Sequence, residues 1–281
     1  MHFKIWPILI LSTMLLSCSA LQSILESAPK PGASIVDVKL NGLDLQQVNL
    51  TFDIDISNPY SVPLPLTNLS YALATNGKNF LSGNAQDLQG SIPANGNQVI
   101  QLPVSVKFLE TLNVLSNFKP GSVIPYTAKM DLSVDAPGVG PLSLPLKKES
   151  ELPIPTAPDV SVQSIDWQDI SFAESTAVLN LRVKNNNEFP LDLNKLNYAL
   201  KLSGTSVVSN SIEKATSFAK GQENTVKIPI SVSPANLGFA LFNMLKGSGS
   251  SYGFEGAMDV QTPFGPLNLP LSGSGDTKFN H

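Results

Sequence analysis

The sequence predicts an all-β chain built as two tandem β-sandwiches, with one helix in each repeat. Three observations predict this. Apolar and polar residues alternate strictly in several runs, as in a strand with one buried face. The longest such run returns, with its flanking turn, 127 residues later. Charged residues are only 14 % of the 281, against 22 Pro and 19 Gly, a composition of short strands and turns rather than of disorder.

The first repeat is assigned to residues 31–150. Ser34 to Leu40 reads as an opening strand closed by a turn at Asn41-Gly42. From Gln46 to Ser57, residues Val48, Leu50, Phe52, Ile54 and Ile56 point one way and Asn49, Thr51, Asp53 and Asp55 the other. The turn Ser57-Asn58-Pro59-Tyr60 follows, then Pro63 and Pro65, then a strand from Leu69 to Thr75 closed by the hairpin dipeptide Asn76-Gly77. Phe80 to Gln89 is weakly patterned and read as a strand. Ile100, Leu102, Val104 and Val106 alternate again, and Pro103 marks that strand as an edge or a bulge. Phe108, Leu112 and Leu115 change to helical spacing, and Pro120-Gly121 stops the helix. Tyr126 to Val134 and a short Pro141–Leu146 strand complete the repeat.

Residues 151–158, rich in proline, read as a stiff linker. The second repeat, residues 159–274, then follows the same plan. Asn58 aligns with Asn185, Pro63 with Pro190, Tyr71 with Tyr198 and Gly77 with Gly204 without a gap. Duplication of a whole folding unit is the simplest account. Val226 to Val232 repeats the edge strand with Pro229 in place of Pro103. Ser233-Pro234 predicts the N-cap and first residue of a helix reaching about Lys246. By Gly140 and Gly265 the spacing is 125, so two residues have been lost. The Gly/Ser-rich end after Leu271 is expected to fray, leaving 275–281 as a tail.

At the other end, Lys4 precedes a nearly unbroken apolar run from Ile5 to Leu16, too short to span a bilayer and placed as a secretory signal. It ends Leu15-Leu16-Ser17-Cys18, which is similar to a bacterial lipobox: residues 1–17 would be removed and Cys18 lipidated. The other reading is an ordinary signal peptide that contains a cysteine. Residues 18–30 would then be a tether, and Ser19 after the cysteine resembles the outer-membrane sorting of Gram-negative lipoproteins. Several acyl chains on one cysteine would anchor the protein stably. The face of that membrane, periplasmic or cell-surface, stays open.

The stretch Ile56-Ser57-Asn58-Pro59-Tyr60 through Gly77 resembles the WHy domain (water stress and hypersensitive response) of the late embryogenesis abundant type 2 family. The resemblance covers nearly the whole mature chain as two copies. It implies a fibronectin type III-like, immunoglobulin-like sandwich with one helix. It also implies a role in tolerance of desiccation, cold or osmotic stress. The second copy departs at the signature, where Asn186 stands in place of Pro59.

Catalytic chemistry finds little support. The two histidines are His2 and His281, so no His-based triad or zinc site can be built, and the single Cys is the lipobox residue. The net charge of −4, with no basic patch, argues against nucleic acid as a partner. No cofactor, metal or catalytic residue is expected. Asp53 and Asp55 share a strand face and could form a carboxylate pair, but Asn180 and Arg182 replace them in the second repeat, so a solvated outer face is the reading taken. Asn58, Pro59, Pro63, Asn185 and Pro190 could form binding loops; turn chemistry is preferred, since Asn caps its own backbone and Pro excludes helix before it. Phe239 and Phe242 add apolar surface to the second helix, as a partner-binding face or as a plug in the open end of the sandwich.

These readings leave three function classes. The first is a non-enzymatic, lipid-anchored stress protectant of the envelope. The second is a binding module or assembly adaptor gripping an envelope protein or lipid, which an exposed patch at Phe239 and Phe242 would favour. The third, an enzyme, requires a cleft of convergent titratable groups.

Overall fold

A computed structural model describes residues 29–86, 90–138 and 140–281. The signal segment, Cys18 and most of the tether lie outside them. The fold is all-β: fifteen strands and three short helices among the described residues.

In repeat 1, β1 (Gly32–Leu43), β2 (Gln47–Asn58) and β6 (Gly96–Lys107) form one antiparallel sheet with β2 at its centre. A second sheet runs β4 (Lys78–Gln86), β3 (Leu64–Thr75), β7 (Val123–Ala136), β8 (Gly140–Pro153), and the two-residue β5 (Ser91–Ile92) pairs the start of β3. Phe52 and Ile54 of β2 and Val104 of β6 join Leu69 and Leu73 of β3 and Leu132 of β7 in one buried cluster. The alternation of β2 is thus the inner face of a sheet. Pro103 lies on an edge strand, where its missing N–H is not needed.

Repeat 2 has the same parts. These are β9 (Asp159–Ile170), β10 (Ser175–Lys184) and β13 (Glu223–Val232), with β11 (Leu191–Leu202), β12 (Thr205–Phe218), β14 (Gly249–Thr262) and β15 (Gly265–Asn280). The hairpin Asn76-Gly77 recurs as Ser203-Gly204, and all four residues have φ between 48° and 80°, as a primed turn requires.

Five features differ from the sequence expectation. Asn41-Gly42 is not the turn: Gly42 is paired within β1 beside a bulge, and the chain turns at Asp44, whose carboxylate accepts the Gln46 and Gln47 amides at 2.7 Å. The short strand expected at 141–146 is fourteen residues long, so the connection between strands is only 154–158. The first helix, α1 (Phe108–Val114), ends before Leu115 and well short of Pro120-Gly121. The second is split into α2 (Pro234–Leu237) and α3 (Phe239–Leu245). Gly238 between them has φ 102° and ψ 158°, a conformation essentially reserved for glycine, and Ser233 gives its hydroxyl to the Ala173 carbonyl rather than capping.

The tail does not fray. Residues after Leu271 continue β15 to Asn280, and Lys278–Asn280 pair in parallel with Ser164–Asp166 of β9. This closes repeat 2 into one seven-stranded sheet, whereas repeat 1 keeps two. The reason is in the residues: the positions equivalent to Lys278 and Asn280 are Pro153 and Pro155, which have no N–H to give to a ladder.

Candidate functional site

Each signature turn is built around one buried asparagine. Asn58 Nδ2 donates to the carbonyls of Val62, Ile92 and Pro93 at 2.9–3.1 Å, and its Oδ1 accepts the Tyr60 amide at 2.9 Å. Asn185 repeats the pattern on Phe189, Phe218 and Ala219, with Oδ1 on the Asn187 amide. Both asparagines are buried, so their polar atoms serve the backbone rather than a ligand. Pro63 and Pro190 sit one residue before β3 and β11.

The second turn also carries the contact between repeats. Asn187 gives Nδ2 to the Thr156 carbonyl at 3.0 Å and accepts the Thr156 amide at 2.8 Å, so one side chain grips the linker twice. The Glu188 amide donates to the Gly121 carbonyl at 2.7 Å, and its carboxylate accepts the Val123 amide at 3.1 Å. On the repeat 1 side, the Ile154 amide donates to Ser122 and the Gly121 amide to Ile154. A Cβ on Gly121 would lie 2.5 Å from the Asn186 carbonyl oxygen. Leu43, Leu45 and Val123 pack on the core of repeat 2. The repeats are therefore stacked head to tail, the β1–β2 end of the first against the Asn185 end of the second. Nothing in the structure explains why Asn rather than Pro stands at 186.

Phe239 and Phe242 lie at the opposite end of repeat 2, where Phe172 joins them. The three ring centroids are 5.6–5.8 Å apart. Phe239 is 63 % exposed, Phe172 43 % and Leu237 37 %, while Leu241 and Leu245 face inward. Lys246 Nζ stands 4.1 Å over the Phe242 ring, a cation–π contact. The helix therefore packs on the core of repeat 2 with one face and presents aromatic surface with another.

The strand face carrying Asp53 and Asp55 is not uniformly solvated. Asp53 is buried, pairs with Lys39 and accepts Gln101 Nε2 at 3.1 Å. In repeat 2 the acid has crossed to the neighbouring strand: Asp166 holds the position of Lys39 and accepts Asn280 and Asn180 at 2.6 and 2.7 Å. Burial pushes the Asp166 carboxyl up, but donors from Asn280, Asn180 and Ser164 outweigh it and hold it below its ordinary value. The Lys39 hydrogen bond holds Asp53 below its ordinary 3.8, and Asp53 in turn holds Lys39 above 10.5. A lowered folded pKa on Asp53 means stability present above its unfolded value and lost as pH falls through the folded one. A raised pKa on Lys39 means stability present below 10.5 and lost as pH rises through its folded value. Lys39→Met is accordingly expected to lower the melting temperature at pH 7, and the difference from wild type should vanish once acid has protonated Asp53. A difference that persists unchanged at pH 2 would assign the loss to the lysine stem instead.

Among the described residues no group of three or more His, Cys, Asp or Glu could hold a metal ion. A shallow groove of about 520 Å³ lies across β3, β7 and β8, lined by Tyr71, Lys129, Met130, Asp131, Pro145 and Lys147. Two of its charges are engaged by the sheet itself: Asp131 accepts the Ser143 hydroxyl of the neighbouring β8 at 2.7 Å, and Lys147 pairs with Glu149 on its own strand at 2.7 Å. No helix among the described residues is long and apolar enough to cross a membrane.

The family model LEA_2, late embryogenesis abundant protein, matches residues 53–150 and again 180–275. The chain belongs to this family. The two LEA_2 matches begin at equivalent positions, Asp53 and Asn180. The desiccation protectant protein Lea14 homolog of Glycine max is 31 % identical over 132 residues, covering 47 % of this chain and 86 % of that protein. Late embryogenesis abundant protein Lea14-A of Gossypium hirsutum is 30 % identical over 131 residues, 47 % of this chain and 86 % of its own length. A solution structure of an Arabidopsis thaliana protein is 27 % identical with a TM-score of 0.38, covering 46 % of this chain and 85 % of that one. The relatives thus match a length close to that of one LEA_2 repeat.

Sequence reasoning did not find the inter-repeat clamp of Gly121, Thr156, Asn187 and Glu188, nor Phe172. A signal for two of them existed. Under the 127-residue spacing Asn187 replaces Tyr60 and Phe172 replaces Leu45, so each marks a place where the two LEA_2 repeats differ.

Proposed function

We propose that this protein is a non-enzymatic, lipid-anchored LEA_2 lipoprotein of the outer membrane that protects the cell envelope in drying, cold or osmotic stress. The observation that carries the reading is the double LEA_2 match, together with relatives named as desiccation proteins. Anchoring rests on the lipobox ending at Cys18. A physical route follows from the fold. The chain enters at Gly32, paired with Ser57 at the outer end of repeat 1, and the clamped linker holds repeat 2 beyond it. Two stacked, weakly charged units would stand between neighbouring proteins or lipids and keep them apart as water is withdrawn.

The test is freeze–thaw of a labile enzyme beside a chain lacking residues 1–18. It should retain more activity than with an equal mass of albumin; equal losses would overturn the protective reading. A second reading, an envelope binding module, is favoured by one observation, the exposed Phe172, Phe239 and Phe242 cluster. A stoichiometric envelope partner captured by crosslinking and lost in Phe239→Glu would support it.

A further inference from the structure

We propose that the free aromatic end of repeat 2 receives the Asn58 turn of a second copy of this chain, so that molecules associate head to tail. The contact between repeats within one chain is the precedent. There the β1–β2 end of repeat 1, with Leu43, Leu45 and Val123, is covered by the Asn185 turn of repeat 2. Repeat 2 has the same end, and no third repeat covers it among the described residues. Phe172 occupies the place of Leu45 there and is 43 % exposed.

The surface that would cover it exists at the other end of the molecule. The Asn58 turn has the same internal bonding as the Asn185 turn, so its shape is preformed. Its outer residues are Pro59, Tyr60, Ser61 and Val62, and Val62 is 43 % exposed.

Both free ends differ from their covered counterparts. Pro59 and Tyr60 stand where the internal contact has Asn186, whose backbone carbonyl lies against Gly121, and Asn187, whose side chain bonds to the linker. On the other side, Phe172 stands where the covered end of repeat 1 has Leu45, which packs on the core of repeat 2. With no linker between two molecules, the Asn187 grip has nothing to hold, and Pro59 and Tyr60 give that turn a more apolar surface in its place. An exposed cluster of aromatic rings is a surface that association would cover. The two surfaces are different, so the contact is heterologous and does not close on itself; it propagates.

The experiment uses residues 29–281, which contain the described residues of both cores. Sedimentation velocity from micromolar to near-millimolar concentration should show the average mass rising past that of a dimer. Phe239→Glu and Val62→Glu alter exposed side chains at opposite ends, and circular dichroism should show both folded. Each alone should remain monomeric. Mixed in equal amounts they should form dimers and nothing larger, about a two-fold rise in mass, because one variant keeps the intact turn and the other the intact aromatic end. The proposal is overturned if wild type stays monomeric throughout, if Val62→Glu associates like wild type (a patch-to-patch dimer), or if mixing restores nothing. It is also overturned if Phe239→Glu loses binding to anionic lipid vesicles while wild type never self-associates, which would make the patch a lipid contact.

Discussion

Asn185→Asp is expected to destabilise repeat 2 as much as Asn185→Ala does, by about 3–5 kcal/mol. The two substitutions differ greatly in shape and share one loss, the Nδ2 hydrogens. In the folded chain those hydrogens face the carbonyls of Phe189, Phe218 and Ala219 in a buried corner. A carboxylate there presents negative oxygen to carbonyl oxygen with no solvent to screen it, and an alanine leaves the same carbonyls unpaired. In a chain starting at residue 29, Trp167 is the single tryptophan, so its fluorescence during urea unfolding reports repeat 2. Asn58→Asp should act in the same way on repeat 1, visible by circular dichroism, with the Trp167 transition left in place. If Asn185→Asp unfolds at the wild-type midpoint, the corner is not what fixes the turn, and the signature asparagine needs another explanation.

Phe279→Ala should cost repeat 2 about 3–5 kcal/mol, the usual range for emptying a large buried aromatic site. That is a large effect for a residue three positions from the end of the chain. Phe279 is buried in the core of repeat 2 and meets Trp167 edge to face, with centroids 5.9 Å apart. Its amide bonds to the Ser248 carbonyl at 3.0 Å, and its neighbours close the sheet onto β9. With a urea dependence of about 2 kcal/mol per molar, the Trp167 transition should move down by about 1.5–2.5 M. Lys278→Ala, which leaves the backbone ladder intact, should change it little. A Phe279→Ala midpoint within a few tenths of a molar of wild type would mean that the tail frays in solution.

The alternation in β2 and β10 was legible because a half-buried strand must repeat every two residues, and the two copies repeat it together. The same is true of the hairpin at Asn76-Gly77, whose chemistry is local. The end of β15 was not legible. Ser272-Gly273-Ser274-Gly275 has the composition of a loose tail, yet it pairs with Tyr252–Glu255 of β14, and Lys278–Asn280 beyond it pair with a strand more than a hundred residues earlier. Gly238 was passed over because a glycine within a helical pattern usually costs stability without ending the helix; here its φ of 102° divides it. Asp53 looked solvated because strand alternation assigns a face but does not say what lies on it, in this case Lys39 and Gln101 from the flanking strands.

The sequence by itself determined the all-β class, the duplication and the LEA_2 resemblance, because each is written in local alternation, in composition or in the recurrence of one stretch. Tertiary structure alone decided how the copies are joined. The Asn187 clamp on Thr156, the close approach of Gly121 to Asn186, and the aromatic cluster that adds Phe172 to Phe239 and Phe242 each bring together residues distant in the chain. Each side chain, read alone, fits an ordinary loop residue. The contact becomes visible only when two folded ends are placed against each other, or when one end is seen to be exposed among the described residues.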